Sequence, residues 1–194
     1  MPEIEQHPLS PFLPPNAKLL MLGSFPPPKS RWKMNFYYPN LQNDMWRIFG
    51  LAFFQNKDYF LNESKNGFNQ LLIQQFLCWK GIALSDTAFR VVRLKENASD
   101  KFLDIVEKID LERILELISG CDAIAATGEK AAETLLSIVS PGLEVPSPGN
   151  FVNVDYQNRS LAVWRMPSSS RAYPKPLEEK AEAYKRMFLS VGLL

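Results

Sequence analysis

The sequence predicts an α/β fold: a three-layer α/β/α sandwich around a central, mostly parallel four-stranded sheet. Three observations lead there. Four short apolar runs, at Lys18–Leu22, Gly81–Leu84, Cys121–Thr127 and Leu161–Arg165, have the length and the lack of alternation expected of strands buried on both faces. Segments with a helical spacing of apolar residues separate them. Strand alternating with helix over 194 residues fits one parallel-sheet domain spanning 1–194, opened by an arm at 1–17.

The arm holds Pro2, Pro8, Pro11, Pro14 and Pro15, so it is expected to be extended and packed on the surface. His7, the only histidine, lies in it. A proline-flanked arm holds a general base poorly, and no catalytic role is expected for His7.

The first strand stops at Gly23 and enters the loop Gly23–Trp46. Pro26, Pro27 and Pro28 stiffen that loop and hold Gly23-Ser24-Phe25 at a strand's carboxyl end, where open α/β sheets bind ligands. Lys29, Arg31 and Lys33 suit phosphate, and Phe36, Tyr37 and Tyr38 suit stacking on a flat ring. Basic and aromatic residues interleaved in this way fit a nucleic acid.

Met45, Trp46, Ile48, Phe49, Ala52 and Phe53 mark a helix over Asn43–Phe54, with Asn43 at or near its N-cap. Residues 64–79 read as a second helix. The strand Gly81–Leu84 ends at Ser85-Asp86-Thr87, where Asp86 either contacts a ligand or the opposing loop, or caps the following turn. Ser99 is expected to cap a helix through Phe102, Ile105, Val106 and Ile109, and Asp110 to start another through Ile114 and Leu117. After Cys121–Thr127, Gly128-Glu129-Lys130 begins a helix reaching Val139. Phe151–Tyr156 reads as an edge strand, and a last helix runs from about Pro176 to Val191.

Composition narrows the function. An apolar content of 46% and mixed charge describe an ordinary globular chain. No apolar run is long enough to span a bilayer and no leader pattern opens the chain, so a cytoplasmic monomer is expected. Cys78 and Cys121 are expected to be reduced and buried. A net charge of +1 requires any nucleic-acid surface to concentrate its positive charge, with Lys29, Arg31, Lys33, Arg165, Arg171 and Lys175 as candidates. Gly128-Glu129-Lys130 lacks the glycines and the Lys-Ser/Thr pair of a triphosphate loop.

The sequence Gly23-Ser24-Phe25-Pro26, followed by Tyr37-Tyr38-Pro39-Asn40-Leu41-Gln42-Asn43-Asp44-Met45-Trp46, resembles the uracil-DNA glycosylase superfamily. It is most similar to the hypoxanthine-DNA glycosylase branch, then to the mismatch-specific uracil and thymine glycosylases. In the first branch the loop reads Gly-Ser-Leu-Pro and later Tyr-Tyr-Ala-His-Pro-Arg-Asn-x-Phe-Trp; Asn40 stands here where that branch has His. Gly128-Glu129-Lys130-Ala131-Ala132 resembles its Asn-Gly-x-Lys-Ala segment. Met166-Pro167-Ser168-Ser169-Ser170 resembles the superfamily's His/Asn/Leu-Pro-Ser-x-Ser loop, with Met166 in place of a side-chain donor.

The resemblance implies a monofunctional DNA glycosylase acting on uracil or hypoxanthine in base excision repair. Its partner is DNA containing a damaged base. Asn43 is implied as the catalytic residue and Tyr38 as the platform for the flipped base, with Phe25 a second candidate wall. Gly23, Ser24 and Asp86 complete the base site. Lys29, Arg31, Lys33 and Arg171 meet phosphates, while Pro167, Ser168, Ser169 and Ser170 enter the vacated space. No metal or other cofactor is expected, and two cysteines cannot ligate a four-thiolate cluster. The alternative is a glycosylase-like module that binds nucleic acid without cutting it. A Ser hydrolase would need a positioned base that the sequence does not offer.

Overall fold

The computed structural model describes residues 3–94 and 102–194; the predicted cap Ser99 lies outside the described residues. The main sheet has five strands: β2 (Leu19–Gly23), β3 (Ile82–Asp86), β6 (Ala123–Thr127), β7 (Asn150–Tyr156) and β8 (Arg159–Met166), in the order β3-β2-β6-β8-β7. β3, β2, β6 and β8 run parallel, whereas β7 returns antiparallel beside β8. The expected four-stranded, mostly parallel sheet is therefore corrected to a five-stranded mixed one. The cause is local: Gln157 and Asn158, at φ 50° and 60°, make a two-residue turn whose twist suits a hairpin, so Phe151–Tyr156 joins the sheet it leaves.

Strands β2, β3 and β6 are buried at every position, as continuous apolar runs demand. Alternate residues of β2 feed two cores. Leu19 and Met21 face helices α1 (Met45–Phe54), α2 (Gln70–Lys80) and α5 (Leu177–Ser190), where Trp46, Phe49, Phe76 and Phe188 form an aromatic cluster. Leu20 and Leu22 face α3 (Leu111–Leu117) and α4 (Glu129–Val139). This is the three-layer arrangement that the alternating pattern implied.

A second, antiparallel sheet was not foreseen. It joins β1 (Ile4–Gln6) of the arm, β4 (Ala88–Arg93) and β5 (Leu103–Lys108) in the order β1-β4-β5. The helix expected through Phe102, Ile105 and Val106 is a strand instead. Leu103 and Ile105 also satisfy alternation, β-branched Ile105 and Val106 suit a strand, and β4 offers an edge for them to pair with. Cys78 is a further correction. It is exposed on α2, while Cys121 is buried as expected.

Candidate functional site

The cleft lies at the carboxyl ends of β2, β3, β6 and β8, where chain reversals leave backbone groups free of the ladder. The loop after β2 and the loop after β8 both line it. They are stitched together: Asp44 N–H donates to the Ser169 carbonyl at 2.8 Å, and Arg171 N–H donates to the Gln42 carbonyl at 3.1 Å. Asn43 and Ser170 form an antiparallel bridge between them.

Buried charge holds the seam. Lys180 of α5, 1% exposed, donates to the Ser170 carbonyl at 2.8 Å and lies 3.5 Å from Asp44 Oδ2. Arg171 Nε donates to Asp44 Oδ1 at 3.0 Å. The fully buried Tyr184 hydroxyl donates to the Pro167 carbonyl at 2.9 Å. Burial raises its phenol pKa well above the ordinary value, so it stays a neutral donor. Neither Lys180 nor Tyr184 carries a sequence signal, since both read as ordinary residues of an amphipathic helix.

Asn43 sits at the entrance to α1, half-buried and lining the cleft. Its Oδ1 accepts from Met45 N–H at 2.9 Å, a turn bond two residues on that places Asn43 next to the N-cap, which is Asp44 and makes no side-chain cap bond. That bond assigns the amide: Nδ2, with its two donors, is left to the cleft, and no protein acceptor meets it among the described residues.

Gly23 ends β2 beside Asp86 of β3. A Cβ at position 23 would stand 2.3 Å from Asp86 Oδ1 and 3.6 Å from the Tyr38 hydroxyl, so all three groups crowd one corner. Tyr38 takes φ 50°, unusual for a bulky residue and a sign of local constraint. Its hydroxyl bonds Thr127 Oγ1 at 3.0 Å, its ring meets Trp46 edge-on, and one side faces the cleft. Phe36 and Tyr37 were expected to be available for stacking. Both are buried, Phe36 against Phe12 and Trp46 and Tyr37 with its hydroxyl donating to the Ser10 carbonyl. Ser24 and Phe25 line the cleft beyond the last ladder pair, and their N–H groups donate to no protein group among the described residues.

His7 is the residue that sequence reasoning missed. Its Nε2 lies 2.8 Å from Asp86 Oδ2 and its Nδ1 lies 2.8 Å from the Leu9 carbonyl. The ring meets Phe25 edge-on at 5.3 Å and stacks with Tyr37 at 6.1 Å. Burial pulls its pKa down, but the hydrogen bond and charge of Asp86, with the Leu9 carbonyl, outweigh that and leave it raised. The arm is fixed here because His7 N–H donates to the Phe89 carbonyl and Arg93 bridges Glu5 and the Pro26 carbonyl.

The basic candidates divide. Arg31, Lys33, Arg165 and Arg171 line the cleft; Lys29 and Lys175 do not. Arg165 is paired with Glu129, Arg171 with Asp44 and Lys175 with Glu179, so acids offset that trio. Lys29 and Arg31 are exposed on a short 3-10 turn and Lys33 is exposed just after it, and none of the three enters an ion pair among the described residues. In the second loop Pro167 and Ser169 are buried, while Ser168 and Ser170 are partly exposed. Met166 is fully buried beneath them. No cluster of metal-binding side chains occurs among the described residues, and no helix among them is long and apolar enough to cross a membrane.

No protein-family model matches the chain, and no curated protein matches it at a significant level. Among solved structures it is similar to the solution NMR structure of a protein from Methanosarcina acetivorans described as a "putative Uracil DNA glycosylase". The TM-score is 0.65 at 23% identity, covering 98% of this chain and 99% of that chain. The likeness shows a common fold along nearly the whole length.

Proposed function

We propose that the protein is a monofunctional DNA glycosylase that extrudes uracil or hypoxanthine from DNA and hydrolyses its N-glycosidic bond, as in the hypoxanthine branch that the loop sequences resemble. The observation that carries this reading is the pair of stitched loops lining one cleft, with the Asn43 amide donors left to that cleft. The shared fold is consistent with it.

Each group has work that its chemistry permits. Lys29, Arg31 and Lys33 hold phosphates on the unpaired basic rim, assisted by Arg171. The Pro167–Ser170 turn stands where the extruded nucleotide leaves space, with Ser168 and Ser170 as its polar contacts. Tyr38 and Phe25 flank the base, and stacking of this kind returns about 1–3 kcal/mol per base against the cost of flipping. As the bond breaks, negative charge grows on the base and positive charge on the sugar. The N–H groups of Ser24 and Phe25 and the Asn43 amide donate to the base carbonyls or hold the attacking water by its oxygen. Water's hydroxyl joins C1′ and its proton goes to the released base. The resemblance places no lysine to form a Schiff base, so the reaction is a monofunctional hydrolysis.

The test uses an end-labelled duplex with one uracil or hypoxanthine, treated with alkali after incubation. Asn43→Ser keeps an oxygen for Met45 N–H but removes the amide donors, and cleavage is expected to fall by about 10²–10³-fold, as when one oxyanion donor is lost. Met166, in place of a donor, favours one second reading, a binding module. Tight binding by the wild type with no cleavage of any modified duplex establishes that reading instead.

A further inference from the structure

Across the stitched loops from the cleft lies a second cavity, of about 550 Å³, to which the glycosylase reading gives no task. Asp44 and Arg47 reach it from the start of α1, and Lys180 from the first turn of α5. Lys57 and Asp58 come from the turn after α1, while Arg171 and Lys175 lie on the approach to α5. Neither N-cap residue, Asp44 or Pro176, makes a side-chain cap bond, and the positive ends of two helix dipoles border the space.

Charge in this pocket does not balance. Asp44 already has three cationic neighbours, Arg171 at 3.0 Å, Lys180 at 3.5 Å and Arg47 at 3.6 Å. One carboxylate cannot neutralise three. Lys57 adds a charge that enters no ion pair among the described residues, and Lys175 adds another, paired with Glu179 at 3.2 Å. With Asp58 counted, five cations face three carboxylates. The Arg47 guanidinium registers the excess. Burial lowers its pKa most, and repulsion from Arg171 comes next, ahead of the attraction of either Asp44 or Asp58. Partly buried positive charge without a partner is costly, and an anion relieves it.

Two guanidinium groups, rim ammonium groups and two helix starts suit a phosphate, whose oxygens accept from several donors at once. Arg171 lines the cleft as well, so cleft and pocket meet across the bond from Asp44 N–H to the Ser169 carbonyl. Each strand of a duplex carries one charge per ~3.4 Å of axis, so a strand crossing this seam sets a phosphate down within a few nucleotides of the cleft. We propose that the pocket seats a backbone phosphate of the DNA strand leaving the cleft across the seam, an anchor separate from the Lys29–Lys33 turn. The contact is blind to sequence and makes the footprint lopsided, because only nucleotides on one side of the extruded base reach it. The identity of the strand rests on the glycosylase reading; the anion site rests on the pocket alone.

The test measures affinity of the full chain by fluorescence anisotropy over a range of salt, for duplexes with thymine or hydrolysis-resistant 2′-fluoro uracil at one position. Lys57→Gln with Lys175→Gln removes two rim charges that make no contact with Asp44. Lys108→Gln with Lys185→Gln makes the same charge change at exposed positions that line neither cavity. In the rim variant the slope of log affinity against log salt should shrink by about 1, the change for one lost phosphate contact, and equally for both duplexes. The control variant should keep the wild-type slope. Trimming the duplex from one end should weaken the wild type several-fold and leave the rim variant indifferent; trimming from the other end should weaken both alike. An unchanged slope in the rim variant, an equal fall in the control, or equal responses of wild type and rim variant to trimming from either end overturns this inference alone, provided the wild type cleaves uracil duplexes. If inorganic phosphate at constant ionic strength raises the melting temperature of the wild type but not of the rim variant, while their DNA slopes agree, the site takes free phosphate and the assignment to a strand is overturned. A wild type without affinity for any duplex overturns the glycosylase reading and this inference together.

Discussion

Gly23→Ala isolates the corner on which the site depends. The new Cβ would lie 2.3 Å from Asp86 Oδ1, and ordinary contact begins at 3.4 Å, so the oxygen must retreat by 1.1 Å or the strands must part. Retreat is opposed by His7, which holds the other oxygen at 2.8 Å. Displacing a reacting or positioning group by ~1 Å costs on the order of 10²-fold in rate. Overpacking at a strand end costs about 1–3 kcal/mol of stability. The expected result is therefore a folded protein with cleavage reduced by about 100-fold, read from single-turnover assays on the uracil and hypoxanthine duplexes beside a denaturant melt. The Asp86→Ala background supplies the control. With the carboxylate gone the clash disappears, so the two substitutions should be non-additive in stability by about 1 kcal/mol or more. Wild-type cleavage in Gly23→Ala, or strict additivity, refutes the placing of Asp86 against Gly23 at a working cleft.

Other outcomes follow from individual contacts. The raised pKa of His7 means that its pairing with Asp86 stabilises the fold fully below the unfolded value of about 6.5 and is lost as pH rises through the higher folded value. Thermal midpoints should accordingly decline above neutrality in the wild type, and His7→Phe should remove that slope. Lys180→Met removes one of two donors to the Ser170 carbonyl, which keeps the Tyr173 N–H at 3.1 Å, and Asp44 keeps Arg171 at 3.0 Å and Arg47 at 3.6 Å. The loss should be about 1–3 kcal/mol by urea denaturation, below the ~3–5 kcal/mol of a buried pair broken outright; a larger loss would mean that Asp44 relies on Lys180. Burial pushes the Cys121 thiol up to about 11, whereas Cys78 is exposed. An aromatic disulfide reagent at pH 8 should label one thiol in the native protein and two after denaturation, and rapid labelling of both would contradict the packing around β6.

How much was legible depended on distance along the chain. The run Leu19–Leu22, the loop that follows it and the helix entered through Asn43 are encoded by neighbours, and the structure places them within a residue or two of the spacing. Interleaved aromatics were less legible, because composition cannot say which of three consecutive rings faces the cleft. Phe36 and Tyr37 are buried, Tyr37 at the cleft wall, and Tyr38, bent to φ 50°, is the one of the three left partly exposed. Leu103–Lys108 carried a pattern that fitted helix and strand alike, and the free edge of β4 decided it.

The sequence by itself determined the alternation of buried strands and helices, and with it the sheet edge where two polar loops emerge, because strand and helix periodicity are read within a dozen residues. Only the tertiary structure decided what meets at that edge. His7 and Asp86 are 79 positions apart, Asp44 and Lys180 136 apart, and nothing local to either partner specifies the other. Such pairs form because the packing of arm, loop and helix against the sheet brings these segments together where little water reaches. A buried charge placed there must find an opposite charge or a hydrogen-bond partner.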